Sequence, residues 1–203
     1  MNLLAYFCIA FVLSACGSMP IGMITLKVAE KTIHNGYRSG VMISLGATVI
    51  EFLYTYIALA SMDFFVQNVG VNLYINLIAM TVFFALGFHH LLKKTKSIPD
   101  SKGEYKTFDF IKGILLAAMN MLIIPFWIFL AIWLKTYGFD FSSTSQILIF
   151  SVGSALGALV IFLLYTLLGR FVVYKIQKVS FYTNRTVGVL FILLAVYQLT
   201  QLF

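Results

Sequence analysis

Residues 16–51 read CGSMPIGMITLKVAEKTIHNGYRSGVMISLGATVIE, and the fold turns on how this stretch is understood. An apolar run carries Pro20-Ile21-Gly22. A short basic loop from Lys27 to Arg38 follows, then a second apolar run with one carboxylate, Glu51, near its middle. Proline inside a helix removes a backbone hydrogen bond and clashes with the preceding turn. Hydrocarbon tolerates such a break only where protein or a water-filled cavity satisfies the freed groups. A carboxyl at membrane depth is costly and by default marks function. The stretch predicts a broken helix facing a protonatable group, the parts of a transport site.

Outward from that stretch, composition sets the solvent. Of 203 residues, 61% are hydrophobic and 10% charged, with a mean hydropathy of +0.97. That is too apolar for an ordinary soluble domain, so the chain is expected in a bilayer. A net charge of +7 raises nucleic acid as a partner. The basic residues lie in short stretches beside apolar runs, however, and form no continuous basic face, which argues against it. Cys8 and Cys16 make no CxxC or Cys/His cluster and read as small buried hydrophobes. No metal and no cofactor is expected. Leu13-Ser14-Ala15-Cys16 fits a lipoprotein cleavage box, but no Lys or Arg precedes it. The first apolar run is therefore expected to be retained.

Six apolar segments have the length of a membrane crossing, at about 3–26, 40–62, 71–92, 110–134, 146–169 and 186–203. The first, third and fifth loops, counting Lys112 at the edge of the third, hold thirteen of the fourteen Lys and Arg, all but Lys135. By the positive-inside rule those loops are cytoplasmic and both termini lie outside a plasma or inner membrane. The third loop, 93–108, is rich in Lys and Ser with Pro99 and Gly103, and reads as a linker. It separates 1–92 from 109–203, three spans each, which enter the membrane from opposite sides. The expected fold is all-α: one polytopic domain, 1–203, of six transmembrane helices arranged as two inverted three-helix repeats. Both halves carry an interrupted first span, at Pro20 and at Pro125, and a second span with small residues, including Gly40, Ser44, Gly46 and Gly153-xxx-Gly157. Small residues allow close helix approach.

Glu51 is the acidic residue set deep in a span, about eleven residues in, which is roughly 17 Å along a helix and near the midplane of a ~30 Å core. Burial disfavours its charged form. It either exchanges a proton along a transport path or stays neutral in a bond to a neighbouring helix. Tyr54, three residues on, shares its face and could bond it. Pro20 and Gly22 either expose backbone groups to a ligand or merely kink the helix. Asn120 and Pro125 are the second-half counterparts. Asn120 offers donors and an acceptor, which suits a zwitterion or a bond between helices. Trp127 and Trp133 read as packing or interfacial anchors. His34, His89 and His90 read as loop or interfacial residues rather than ligands.

These residues resemble the lysine-exporter (LysE) and homoserine/threonine-exporter (RhtB) transporters. That family has a Pro-Gly-Pro motif in its first helix, then a Gly-x-x-x-Gly loop, then Leu-Gly followed by an acidic residue. Here Pro20-Ile21-Gly22-Met23, Gly36-Tyr37-Arg38-Ser39-Gly40, Leu45-Gly46 and Glu51 stand in those places, with Glu for the usual Asp. An Asn-Pro element of the fourth helix corresponds to Asn120 and Pro125. The resemblance implies export of amino acids or related small metabolites in exchange for protons or cations, and a homodimer. Two other readings compete. An intramembrane enzyme needs a nucleophile–base pair or metal ligands at depth, which one carboxylate does not supply. A non-catalytic assembly partner accounts for the small-residue pairs but gives no reason for Glu51.

Overall fold

The computed structural model describes residues 2–19, 22–67, 108–120 and 123–168, with single helical positions at Thr81, Phe84, Phe88, Val189, Ile192 and Val196. Apart from those positions, the spans expected at 71–92 and 186–203 lie outside the described residues. So do residues 93–107 of the linker, Pro20, His89 and His90. Six helices have defined bounds: α1 Leu3–Ser18, α2 Met23–Asn35, α3 Tyr37–Gln67, α4 Asp109–Ala118, α5 Ile123–Lys135 and α6 Thr144–Leu168. Two are long and apolar enough to cross a membrane alone, α3 over Tyr37–Asp63 and α6. The pairs α1–α2, bent by 72°, and α4–α5, bent by 60°, each qualify as one broken span or a re-entrant loop.

The basic stretch after the first break is helical, not a loop. α2 carries Lys27, Lys31 and His34 within it. Its charges misled because they interleave with a core face: Ile24, Thr25, Val28 and Ala29 are buried, while Lys27 reaches Glu30 one turn on at 3.0 Å. Glu30 and Lys31 are buried as well. α2 stops at Gly36, whose φ of +93° suits glycine, and α3 starts at the next residue.

The second break also moves. α4 ends at Ala118 and α5 starts at Ile123, so the interruption centres on Asn120 rather than Pro125. Pro125 sits in the first turn of α5, where a missing N–H costs no helical bond.

Outward and inward faces separate cleanly. Leu45, Val49, Leu53 and Ile57 make an exposed stripe on α3, and Leu148, Val152, Leu156, Val160 and Leu164 make another on α6. On α1 the exposed stripe passes through Leu4 and Val12 and takes in Cys8 and Cys16. The two cysteines are therefore exposed, not buried, because they lie with Leu4 and Val12 on one i, i+4 ridge of α1.

Glycines let the helices touch. A Cβ on Gly46 of α3 would overlap the Phe110 carbonyl of α4, and one on Gly113 of α4 would overlap the Ile43 carbonyl of α3. On α6, Gly153 lies against the backbone of Phe7 and Gly157 against that of Phe11. So each long helix crosses the broken pair of the other half: α3 crosses α4, and α6 crosses α1. α3 and α6 also meet, with Thr55 Oγ1 3.0 Å from Ser154 Oγ and Ser44 Oγ 3.5 Å from Thr166 Oγ1. Rising numbers on one meet falling numbers on the other, so these helices run antiparallel.

One end of the bundle is tied by Tyr6. Its hydroxyl donates to the Asp140 carbonyl at 2.8 Å and accepts from the Asp140 N–H at 2.9 Å. Its ring sits edge-on to Phe139 and Phe141. Lys135 meets Asp63 at 2.7 Å at the same end. At the opposite end Gly40 packs against Thr32 and Thr166. Among the described residues, buried apolar side chains form two clusters. One, near the Tyr6 end, includes Met62, Trp127 and Phe150. The other includes Ile24, Ile43, Ala117 and Phe162. Burying such side chains stabilises the packed form mainly through close van der Waals contact, since lipid is itself apolar.

Candidate functional site

Glu51 belongs to neither apolar cluster. It lies near the middle of α3 on the face of Ser44, Ala47, Thr55 and Ala58, opposite the outward stripe, and is 8% exposed. The side chain therefore turns into the protein. Thr55, one turn on, donates to the Glu51 backbone carbonyl at 2.7 Å and meets Ser154 of α6.

Helix register tells what else lies at this depth. Thr55 is level with Ser154, so Glu51, one turn earlier on the antiparallel helix, is level with Ala158. Gly157 sits between Phe11 and Ala15 of α1, which brings Ser14 to the same level. From α5 the Trp127 indole N–H approaches the Glu51 carboxyl without reaching hydrogen-bond geometry. Ser14 Oγ and Trp127 Nε1 are both fully buried with no partner. Unpartnered buried polar atoms are uncommon and each calls for an explanation. The Trp127 indole beside the Glu51 carboxyl, with the Ser14 hydroxyl at the same level by helix register, makes a polar niche among α1, α3 and α5.

Residues flanking both helix breaks pack with Ile50, the neighbour of Glu51 in sequence. Ile24 at the start of α2, Ile50 of α3, Ala117 at the end of α4 and Phe162 of α6 share one cluster, with Tyr54, Ala118 and Tyr165 packed on it. At the first break Gly22 caps α2, its N–H donating to Thr25 Oγ1 at 2.8 Å. The remaining first-turn N–H groups of α2 give that end a partial positive charge. At the second break the Asn120 carbonyl accepts from the Ile123 N–H at 3.3 Å, and the Asn120 side-chain amide has no hydrogen-bond partner among the described residues. Pro125 stands one short turn further, in α5.

Tyr54 does not bond Glu51. Its hydroxyl donates instead to the Ala118 carbonyl at 2.8 Å, at the last turn of α4. The helix that carries Glu51 is thereby fastened to the Asn120 break. The bond thus joins the helix that carries Glu51 to the one that ends two residues before Asn120, while Gly22 stands at the other break.

Sequence reasoning gave no site role to Ser14 or Trp127 in the niche, nor to Tyr165 beyond it. Ser14 falls on the buried stripe Tyr6–Ala10–Ser14 of α1, and it carries no special signal. Of the two roles read for the tryptophans, packing or interfacial, Trp127 takes the packing one, edge-on to Phe126 and Phe150, whereas Trp133 is exposed. Tyr165 of α6 donates to the Met19 carbonyl at 2.7 Å, the counterpart of the Tyr54 bond. A signal for it exists: Leu53-Tyr54-Thr55 recurs as Leu164-Tyr165-Thr166.

A family model described as LysE type translocator matches residues 15–202. No curated protein and no solved structure matches the chain.

Proposed function

Because the chain belongs to the LysE type translocator family, we propose that this membrane transporter is a secondary exporter of amino acids or related small metabolites from the cytoplasm. Glu51 is the group that binds and releases the coupling ion, a proton or another cation. The observation that carries the reading is a carboxyl turned inward at mid-helix and approached by the buried Trp127 indole N–H, in a bundle with two broken helix pairs.

The breaks suit a zwitterion. A substrate carboxylate is favoured at the positive half-helix ends, at Gly22–Thr25 and at the start of α5 beside Asn120 and Pro125. Its ammonium group is favoured by ionised Glu51 and by the carbonyl ends of α1 and α4. Trp127 N–H and Ser14 Oγ supply donors at the same depth. Glu51 exchanging its charge between proton and substrate makes the two compete for one site, which is what coupling by exchange requires. One proton moving down 100 mV releases about 2.3 kcal/mol, enough to sustain a roughly 50-fold solute gradient.

The architecture proposed is six spans in two inverted repeats, 1–92 and 109–203, joined by a cytoplasmic linker 93–108. Support comes from the repeated order of broken pair and long helix, from the antiparallel α3 and α6, and from the recurring Leu-Tyr-Thr. The basic loops face the cytoplasm and both termini face outside, so the Tyr6–Asp140 end is external. The family likeness further implies a homodimer, which subunit counting by photobleaching in liposomes tests.

Purified protein in liposomes loaded with an amino-acid mixture, under an imposed pH gradient, should release particular amino acids. Glu51→Gln should insert and fold yet lose the gradient-driven component. Full gradient-coupled release by that variant removes Glu51 from the role proposed.

A further inference from the structure

Tyr54 and Tyr165 make the same bond in opposite halves. Each lies in a Leu-Tyr-Thr triplet on a long helix. Each donates to a carbonyl at the end of the other half's broken helix: Tyr54 of α3 to Ala118 of α4 at 2.8 Å, and Tyr165 of α6 to Met19 after α1 at 2.7 Å. The last carbonyls of a helix have no intrahelical donor, and at membrane depth an unmet carbonyl is costly. The two phenols meet that need across the boundary between the halves.

We infer that Tyr54 and Tyr165 are a matched pair of positioning residues that hold the protein in the state closed at its Tyr6–Asp140 end. The inference rests on the exporter reading, in which the halves move against each other. Both bonds join one half to the other, so that movement strains both at once. The closed end is formed here by Tyr6, bonded twice to Asp140 and ringed by Phe139 and Phe141. Once the halves shift, the Met19 and Ala118 carbonyls need water or substrate in place of the phenols. A break that accepts water is an open path. Removing either phenol hydroxyl therefore weakens the closed state and leaves the open one untouched.

The test uses the full chain in oriented proteoliposomes, with Cys8→Ser and Cys16→Ser removing the native thiols and Ala58→Cys as reporter. Ala58 is buried on α3 in the cluster beneath Tyr6. A membrane-impermeant maleimide is presented at the Tyr6–Asp140 face. Tyr54→Phe and Tyr165→Phe should each raise the labelling rate about five- to tenfold, the factor that one net hydrogen bond sets. 4-Aminophenylalanine at either position, which restores a donor on the ring, should return the rate toward wild type. Unchanged labelling in either Phe variant overturns the inference. So does a variant that unfolds, or one with a lower Tm and unaltered labelling, since a plain structural staple behaves that way. Labelling needs no substrate, so the two readings fail separately. A wild-type protein that moves no amino acid refutes the exporter, and an active one with unaltered labelling refutes only the tyrosine pair.

Discussion

Gly46→Ala measures how closely α3 and α4 must cross. A Cβ there overlaps the Phe110 carbonyl oxygen and comes within 3.0 Å of the Ile114 nitrogen. Both are backbone atoms of α4 and cannot swing aside as a side chain does. The helices must part by on the order of 1 Å to restore normal contact distance. Overpacking of that kind costs about 1–3 kcal/mol, and the rigid neighbour argues for the upper half. Alanine's better helix propensity returns about 1 kcal/mol. The net loss is about 1–2 kcal/mol, which lowers Tm by roughly 2–8 °C in a chain of this size. Gly17→Ala is the internal reference. Its nearest neighbour is the Phe126 ring at 3.6 Å, ordinary contact, so only the propensity gain remains and Tm should hold or rise. Gly113→Ala probes the same crossing from the other side, against Ile43. The double variant should therefore cost less than the sum of the singles. Thermal unfolding in one detergent, followed by tryptophan fluorescence, compares all four. Equal Tm values for Gly46→Ala and Gly17→Ala would refute the close crossing.

Other perturbations reach different parts of the molecule. Tyr6→Phe strips donor and acceptor from Asp140 at once and should cost about 1–3 kcal/mol, with faster amide exchange over 139–142 by mass spectrometry. Thr55→Val leaves the Ser154 hydroxyl without the Thr55 bond and should cost about 1–2 kcal/mol. Thr55→Val with Ser154→Ala should recover most of that in thermal unfolding. The Ser142 hydroxyl, which donates to Asp140, holds that carboxyl below the ordinary carboxylate range, helped by backbone N–H groups and Lys135. A lowered folded pKa stabilises above the unfolded value near 3.9 and loses that contribution as pH falls through the lowered one. Ser142→Ala should move the Asp140 titration upward in a carboxyl NMR experiment.

Much of the helical layout is legible in the residues because lipid leaves few solutions. Runs of apolar residues gave α3 and α6 within about five positions, whereas the first run, expected at 3–26, divides into α1, which ends at Ser18, and α2, which begins at Met23. The glycines of 40, 46, 153 and 157 signalled close crossings, and each lies at one. Span arithmetic put Glu51 near the middle of its helix, where α3 has it; its inward direction comes from its burial opposite the Leu45–Val49–Leu53–Ile57 stripe. What misled was local charge and local proline. Lys27 to His34 resembles a loop until one sees that Ile24 and Val28 bury the intervening face. Pro125 resembles a breaker, but a proline in the first turn starts a helix rather than ending one. Tyr54 was placed on the right face and given the wrong partner. Its long side chain passes the carboxyl one turn below and reaches a different helix, and no spacing rule within one helix can reveal that.

The bond between Tyr165 and Met19 has a consequence for how the protein is made. Donor and acceptor stand 146 residues apart, so the Met19 carbonyl enters the membrane long before its phenol leaves the ribosome. Gly46 likewise waits for α4, and α1 waits for the glycine groove of α6. The amino-terminal half must linger in lipid as an unfinished piece, its backbone hydrated or shielded by the insertion machinery. Nascent chains stalled before residue 165 should be prey for membrane proteases. Two separately translated halves should survive only when both are synthesised in the same cell.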